Sequence, residues 1–209
     1  LSREEIINLS IEAEKTIFPD TSGADCTVCT YGGKIVYPSI EKIGNTFDLN
    51  LLIANSMIPH STKRSVEKVS KFKENNEERF SQLCALETKL IDEVRLAMKN
   101  NDLDTIGLKM SENQQMLEEI NVSNNELRNI ISHLDEAAFG SKITGAGDGG
   151  CVIALSSSED SVQWEKNIKL HNGEMTLHLN QQGDSDEMLG NVFVAKIDTK
   201  GVVWSKIEE

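Results

Sequence analysis

The sequence predicts an α+β fold in which helices cover one face of an antiparallel sheet. Segments that alternate apolar and polar residues, as half-buried strands do, flank a long central stretch with helical periodicity. After a first helix and hairpin, the order is one strand, three helices and four further strands, with no internal repeat. The length of 209 residues allows one large domain or two small ones.

The N-terminal elements are predicted from their end signals. Ser2 and Glu5 have the spacing of a capping box, and the apolar residues after them suit a helix that runs to about Phe18. Pro19 then ends that helix. The segment from Thr27 to Tyr37 is rich in Val, Thr, Tyr and Ile around two glycines, which predicts a β-hairpin.

The central stretch consists of one strand and three helices. In the strand, apolar residues alternate with their neighbours at Phe47, Leu49, Leu51 and Ile53. Helical spacing then predicts helices over about Thr62 to Met98, Leu103 to Ile120 and Asn124 to Phe139. We expect Asn75-Asn76 to break the first of these in two, and Ser123 with Glu126 forms a capping box before the third.

Four strands are predicted after the helices. The first, Val152 to Leu155, directly follows a glycine-rich segment. The second contains Met175, Leu177 and Leu179. The last two, Val192 to Ile197 and Val202 to Trp204, flank the turn Asp198-Thr-Lys-Gly201.

Charge and composition exclude several classes of protein. The net charge of −13 comes from 21 Lys and Arg against 34 Asp and Glu, which argues against nucleic acid as a partner because phosphate backbones are bound by clustered basic residues. No apolar run approaches the roughly 18 residues that span a bilayer, and the N-terminus has no signal-peptide core. We therefore expect a cytoplasmic protein with no membrane segment.

The Cys and His residues are interpreted as structural. Cys26 and Cys29 form a C-x-x-C pair, but zinc requires a second pair, and on the predicted strand these positions face opposite sides. His133, His171 and His178 have no acidic or serine partner at motif spacing. Metal or redox chemistry at these side chains is the alternative interpretation.

The most informative segment is Lys142-Ile-Thr-Gly-Ala-Gly-Asp-Gly-Gly-Cys151, which comes after a predicted helix and before a strand. Its four glycines let backbone N–H groups approach an anion closely, because no Cβ stands in the way. The pattern is neither the phosphate loop Gly-x-x-x-x-Gly-Lys-Ser/Thr nor the dinucleotide pattern Gly-x-Gly-x-x-Gly. A tight turn between helix and strand is the alternative.

A second candidate segment is Thr21-Ser-Gly-Ala-Asp25, which follows the helix that carries Glu12 and Glu14. Small residues beside a carboxylate let a substrate hydroxyl reach it, and an Asp at such a site orients a nucleophile or accepts its proton. Taken alone, Ser-Gly-x-Asp is also common in turns.

Together these segments resemble the C-terminal two-thirds of the mevalonate kinases, within the superfamily of galactokinases, homoserine kinases, mevalonate kinases and phosphomevalonate kinases. Lys142 to Cys151 is similar to the third motif of that superfamily, Lys-x-Thr-Gly-Ala-Gly-Gly-Gly-Gly-Cys. Glu14, eleven residues before Asp25, resembles the acidic Mg²⁺ ligand that precedes Ser-Gly-x-Asp. Ile58-Pro-His-Ser-Thr-Lys63 resembles Val-Pro-Arg-Ser-Thr-Lys. The resemblance extends to about Leu155.

The resemblance implies an enzyme that uses ATP and Mg²⁺ to phosphorylate the C5 hydroxyl of mevalonate, acting as a homodimer. Asp25 would be the catalytic carboxylate and Glu14 the metal ligand, while Lys142 and Lys63 are candidate cations, Lys142 for the nucleotide. The substrate-binding residues implied are Ser22, Gly23, His60, Thr62, Gly145, Ala146 and Gly147. The alternatives are a phosphomevalonate kinase, a homoserine kinase or a non-catalytic binding module with the same fold.

The resemblance also implies a division of the chain. Residues 1–45 would be the C-terminal part of an N-terminal α+β lobe, and residues 46–209 a ferredoxin-like C-terminal kinase domain. No segment resembles the family's nucleotide loop, Pro-x-x-x-Gly-Leu-x-Ser-Ser-Ala, so we expect a missing N-terminal lobe to supply it, either in a longer enzyme or on another chain.

Four residues depart from the motifs of the family: Asp148, His60, Thr21 in place of a usual Pro, and Cys26 in place of a usual Asn. Asp148 stands where the family has Gly, and we expect it to face outward because its charge would repel a phosphate. His60 replaces an Arg that is thought to meet the substrate, and a neutral imidazole is a weaker partner for a carboxylate. These departures concern the identity of the substrate more than the class of reaction.

Overall fold

The computed structural model describes residues 1–19, 21–44, 49–157, 168–171, 174–177, 192–197 and 201–202. The chain divides into two compact units, Leu1–Asp48 with Ile197–Glu209 and Leu49–Lys196, which we call the first and second unit. Among the described helices, none combines the length and the apolar composition that a membrane span requires.

The first unit begins with the capping box that the sequence predicts. Helix α1 (Arg3–Lys15) starts at Ser2, whose Oγ accepts a hydrogen bond from the Glu5 N–H while the Glu5 carboxylate accepts one from the Ser2 N–H. Ile7 is the buried residue of this helix. The helix ends at Lys15, before the predicted end at Phe18.

The hairpin predicted over Thr27 to Tyr37 is wrong in its first half. Helix α2 (Ala24–Tyr31) takes up those residues, and strand β1 (Lys34–Val36) pairs antiparallel with β2 (Glu41–Ile43). The hydroxyls of Thr27 and Thr30 donate to the carbonyl oxygens four residues earlier, at 2.8 and 2.7 Å, and both threonines are 2% exposed. Burial of these residues against neighbouring elements overrides the strand propensity of the segment.

The second unit contains a four-stranded antiparallel sheet and a separate two-stranded one. In chain order the strands are β3 (Asn50–Asn55), β4 (Gly140–Ile143), β5 (Cys151–Ser156), β6 (Ile168–His171), β7 (Glu174–Leu177) and β8 (Val192–Lys196). The larger sheet has the order β4-β5-β3-β8, and β6 pairs with β7. The strands predicted at 152–155 and 192–197 are confirmed. Leu179, residues 198–200 and residues 203–204 of the other predicted strands and turn lie outside the described residues.

Four helices lie between β3 and β4 in the chain. They are α3 (Thr62–Asn75), α4 (Glu77–Asn100), α5 (Leu103–Glu119) and α6 (Asn125–Leu134). The predicted break is confirmed, since Asn76 separates α3 from α4. The predicted N-cap of α6 is wrong: Asn124, not Ser123, accepts the hydrogen bond from the Leu127 N–H, at 2.9 Å. Helix α6 also ends before Phe139, because β4 begins at Gly140.

The core of the second unit lies between one face of the sheet and α6. The sheet contributes Leu52, Ala54, Ile143, Val152 and Ala154, and α6 contributes Leu127, Ile130, Ile131 and Leu134. The buried face of β3 is therefore the one with Leu52 and Ala54, whereas the predicted apolar face, with Leu51 and Ile53, is half-buried on the other side. The predicted α+β fold, with helices on a face of an antiparallel sheet, is confirmed.

Helix α5 covers the free edge of β4. A Cβ on Gly107 of α5 would lie 2.2 Å from the carbonyl oxygen of Phe139, and one on Gly140 would lie 2.0 Å from the carbonyl oxygen of Gly107. Glycine at both positions therefore permits the close approach. The buried Gln114 accepts a hydrogen bond from the Ile143 N–H at 3.0 Å, which satisfies an edge donor that none of the described strands reaches.

Candidate functional site

The glycine-rich segment joins β4 to β5 as the loop of a strand pair. Ile143 lies opposite Val152, and the Thr144 N–H donates to the Cys151 carbonyl at 3.0 Å. We call residues 144–150 the glycine-rich loop. The sequence predicts a helix before this segment; in the structure β4, which the sequence does not predict, lies between α6 and the loop. The loop is thus anchored at both ends in the central sheet.

The backbone of the loop has the left-handed conformation at several positions. The residues with positive φ are Gly145 (77°), Gly147 (78°), Asp148 (65°), Gly149 (151°) and Gly150 (74°). Glycine adopts positive φ at little cost, so the four glycines permit this tight connection between β4 and β5.

One end of the glycine-rich loop is open and the other is packed. A Cβ on Gly145 would meet nothing within 4 Å, whereas one on Gly147 would lie 2.3 Å from the Val122 carbonyl oxygen. The hydroxyl of Ser65, which is 2% exposed, donates to the Gly147 carbonyl at 3.4 Å. The backbone of Gly145 and Ala146 is therefore the part of the loop that a ligand can approach.

His60 lies against the packed end of the loop. A Cβ on Gly150 would lie 3.0 Å from Cε1 of the His60 ring, and the Gly150 N–H donates to the Ile58 carbonyl at 3.3 Å. The His60 side chain itself is exposed. Thr62 is the first residue of α3, whose N-cap Ser61 accepts from the Arg64 N–H. The structure thus places His60 at the glycine-rich loop and Thr62 at the exposed start of α3.

Asp148 does not face outward, contrary to expectation. Its side chain is 14% exposed, and its Oδ1 lies 2.6 Å from Nζ of Lys68 on α3. The Asp148 N–H donates to the Val122 carbonyl at 2.7 Å. The expectation considered only repulsion between the carboxylate and a phosphate. A cation on α3 turns the carboxylate inward, and nothing in the motif signals this partner.

Lys142 lies on β4 rather than in the glycine-rich loop. Its Nζ donates to the Ile143 carbonyl at 2.8 Å. Burial lowers the pKa of Lys142 below the ordinary value of a lysine, while the charge of Glu87 acts in the opposite direction. Lys63, the other candidate cation, is exposed in the first turn of α3. This hydrogen bond uses one of the three N–H donors of the Lys142 ammonium group.

In the first unit, the Glu14 carboxylate accepts two hydrogen bonds from residues that follow α1. Its Oε2 accepts from Thr21 Oγ1 at 2.7 Å and from Cys26 Sγ at 3.3 Å, and the side chain is half-buried. The Gly23 N–H donates to Thr21 Oγ1 at 3.2 Å. These contacts fix the Glu14 carboxylate beside the start of α2.

Asp25 occupies the second position of α2 and is exposed. Its carboxylate forms no hydrogen bond or ion pair with another residue that the structure describes. The helix begins at Gly23, which has φ of 76° and caps no N–H with a side chain. Ser22 is exposed beside it, and its carbonyl accepts from the Tyr37 hydroxyl. The Asp25 carboxylate therefore faces solvent in the described part of the chain.

Cys26 and Cys29 lie on one side of α2, so the expectation that they face opposite sides is wrong. Positions three apart share a helix face, whereas on a strand they do not. Burial, then the hydrogen bond to Glu14 and the charges of Glu14 and Asp25, raise the pKa of the Cys26 thiol. Both cysteines are free thiols.

The fit of the first unit to Mg²⁺ depends on the arrangement of its acidic, His and Cys side chains. Among the described residues, no group of three or more His, Cys, Asp and Glu side chains is arranged to hold a metal ion. Mg²⁺ in kinase sites is held by one or two carboxylates together with substrate phosphates and water. A single fixed carboxylate such as Glu14 is compatible with that mode of binding.

The chain is similar in sequence to one protein family model and to several known kinases. The family model described as "GHMP kinases C terminal" matches residues 94–164. The mevalonate kinase of Methanocaldococcus jannaschii is 32% identical over 177 residues, 80% of this chain and 54% of that protein. The mevalonate kinase of Saccharolobus solfataricus is 30% identical over 168 residues, 78% of this chain and 52% of that protein.

Solved structures agree with the sequence comparison. The L. major mevalonate kinase in complex with R-mevalonate is 31% identical, with a TM-score of 0.68 over 77% of this chain and 51% of that one. The M. jannaschii mevalonate kinase is 26% identical, with a TM-score of 0.66 over 95% of this chain and 57% of that one. The chain spans about half the length of the curated relatives it matches. The motifs, the fold and these relatives together show that the chain belongs to the GHMP kinase superfamily. The chain contains the C-terminal domain of that superfamily.

Proposed function

We propose that this chain is the C-terminal part of an ATP-dependent kinase that phosphorylates the C5 hydroxyl of mevalonate. The observation that carries the proposal is the position of His60 against a glycine-rich loop that is open at Gly145, in a domain similar to that of a mevalonate kinase solved with R-mevalonate. Acceptor binding is assigned to His60, Thr62, Gly145, Ala146 and Gly147 in the second unit, and to Ser22 and Gly23 in the first.

Asp25 is proposed as the catalytic carboxylate. Its side chain is exposed and free of protein partners in the described part of the chain, so it is available to a substrate hydroxyl. As the hydroxyl oxygen forms its bond to the γ-phosphorus of ATP, the hydroxyl proton passes to the Asp25 carboxylate and ADP leaves. Holding that oxygen in line with the leaving group supplies much of the rate enhancement in such transfers.

Glu14 is proposed as a ligand of Mg²⁺. When bound, Mg²⁺ neutralises charge on the phosphate groups during transfer. The hydrogen bonds from Thr21 and Cys26 hold one oxygen of the Glu14 carboxylate, which fixes its direction. Lys142 is the candidate cation for the nucleotide, although its ammonium group is engaged with the Ile143 carbonyl.

The proposed enzyme requires a further lobe. We propose that residues 1–45 belong to the N-terminal kinase lobe and residues 46–209 to the C-terminal domain, and that a further segment supplies the loop that cradles the nucleotide. Relatives of about twice the length of this chain support the proposal. A homodimer is proposed as the working assembly.

The function is tested by measuring ADP release from the natural full-length protein with MgATP. Mevalonate, phosphomevalonate and homoserine are offered separately as acceptors. Turnover on mevalonate alone supports the proposal, and turnover on one of the other two moves the assignment to a related kinase. Silence on all three, with unaltered folding, identifies a non-catalytic binding module.

Two substitutions test the roles of the carboxylates. Asp25→Asn should lower kcat at least about a hundredfold while leaving thermal stability nearly unchanged, because the exposed side chain has little to stabilise. Glu14→Gln should raise the Mg²⁺ concentration needed for half-maximal rate. Glu12→Gln is the matched control, since Glu12 is an exposed carboxylate of α1 that pairs with Lys15. Equal kcat in Asp25→Asn and Glu12→Gln would remove Asp25 from catalysis.

A further inference from the structure

Two cations of α3 meet one carboxylate of the glycine-rich loop. Nζ of Lys68 lies 2.6 Å from Oδ1 of Asp148, and Nε of Arg64 lies 3.7 Å from Oδ2. The Asp148 side chain is 14% exposed, whereas that of Arg64 is 74% exposed. One carboxylate therefore fills a position between two cations, and one of those cations reaches solvent.

The backbone at Asp148 does not require an aspartate. Its φ of 65° lies in the left-handed region, which is unfavourable for most non-glycine residues. A glycine would hold the same backbone without that cost, as its neighbours Gly147 and Gly149 do. The side-chain contacts of Asp148, chiefly the ion pair with Lys68, are what distinguish this residue from a glycine.

Without the carboxylate, the same place has the composition of a phosphate site. A lysine ammonium and an arginine guanidinium are the groups that proteins use to bind phosphate oxygens. Both cations reach the glycine-rich loop at the Asp148 carboxylate, at 2.6 and 3.7 Å. Val122 and Ser65 hold the loop from behind through Asp148 N–H and Gly147 C=O, so this backbone does not depend on the carboxylate alone.

We propose that Asp148 is a specificity-determining residue: its carboxylate occupies, as a built-in anion, a phosphate-sized site formed by Lys68, Arg64 and the glycine-rich loop. Phosphate groups are thereby kept from this part of the loop. With respect to the acceptor, the inference rests on the proposed function. It favours an acceptor that carries no phosphate, such as mevalonate, over one that does, such as phosphomevalonate.

The site is tested by titrating the natural full-length protein with inorganic phosphate in a calorimeter, without nucleotide or acceptor. Asp148→Gly should bind phosphate at least about tenfold more tightly than the wild type. Asp148→Glu, which keeps the anion, is the matched control and should bind as weakly as the wild type. Adding Lys68→Met to Asp148→Gly should abolish the gain, because one of the two cations is then lost.

Two results would overturn the proposal: equal phosphate affinity in the wild type and Asp148→Gly, or a gain that survives Lys68→Met. Near-ultraviolet circular dichroism checks the fold of each variant, and Asp148→Asn replaces Asp148→Gly if the glycine variant does not fold. The titration needs no turnover, so an inactive kinase leaves its outcome intact. Conversely, unchanged phosphate affinity in an active mevalonate kinase would refute this inference and leave the proposed function standing.

Discussion

The side chain of Glu14 distinguishes two cysteines that otherwise share one face of α2. Cys26 donates its thiol hydrogen to Glu14 and is half-buried, whereas Cys29 is exposed. A thiol reacts through its thiolate, so a raised pKa and burial both slow alkylation. The same carboxylate that we propose as a metal ligand therefore controls the chemistry of a neighbouring cysteine.

We expect Cys29 to be alkylated by iodoacetamide at least about tenfold faster than Cys26 at about pH 8, because burial and Glu14 raise the pKa of Cys26. The variants Cys26→Ser and Cys29→Ser, each with one of the two thiols left, give the separate rates by mass spectrometry. Glu14→Gln should accelerate the reaction of Cys26 and leave Cys29 unchanged. Equal rates for the two cysteines in the wild type would contradict this account.

At the scale of elements, the start of α6 shows how local signals compete. Both Ser123 and Asn124 are common N-cap residues, and the sequence favours Ser123 because Glu126 completes a capping box. In the structure Asn124 caps Leu127, and Ser123 Oγ is buried without a hydrogen-bond partner among the described residues. The packing of Leu127, which is fully buried, sets the helix register and so selects the cap.

The cap assignment predicts opposite outcomes for two neighbouring alanine substitutions. Asn124→Ala should lower the free energy of unfolding by about 1 kcal/mol, because the Leu127 N–H loses its acceptor. Ser123→Ala should cost nothing or stabilise slightly, since it removes an unsatisfied buried hydroxyl. Urea denaturation of both variants measures the difference. A larger loss for Ser123→Ala than for Asn124→Ala would show that Ser123 is the cap.

Strand β4 is not predicted from the sequence. Its four residues, Gly140–Ile143, begin with a glycine and include a lysine, so no alternation of apolar residues marks them. The strand exists because β5 pairs with one side of it and α5 covers the other through Gly107 and Gln114. These contacts come from residues distant in the chain. The sequence therefore does not reveal them, and the helix predicted from Asn124 extends too far, to Phe139.

At the scale of the whole molecule, Lys142 couples the stability of the fold to pH. Burial lowers its pKa, so the unfolded chain holds this proton more tightly than the folded one. Below the lowered pKa the lysine is charged in both states, and the folded state bears the cost of the buried charge. The contribution of Lys142 to the free energy of unfolding therefore rises with pH between the lowered pKa and the ordinary lysine value of about 10.4.

Lys142→Met should therefore stabilise the protein near neutral pH, and this gain should shrink as pH rises through that window. Urea denaturation of the variant and the wild type at a series of pH values from about 7 to about 10.5 measures the change. Lys63→Met is the matched control, because Lys63 is exposed and its substitution should give a difference that stays flat. A gain for Lys142→Met that is independent of pH would show that burial of the charge is not its cause.

The candidate site residues come from short motifs. Glu14, Asp25, His60 and the glycine-rich loop are all identified by residue type and spacing along the chain. The partners that hold them are not: Lys68 meets Asp148 from 80 residues away, and Gln114 reaches Ile143 from 29 residues away. Such contacts depend on how α3 and α5 pack, and no local pattern records that packing.

The sequence by itself determined the fold class, the helical middle of the chain and its break at Asn76, and the superfamily motifs, because periodicity, caps and motif spacing are local properties. Tertiary structure alone decided that Thr27–Tyr31 is helical, that Leu52 and Ala54 face the core, and that Asp148 turns toward α3. In each case burial or a charge supplied by a distant element outweighs the local preference.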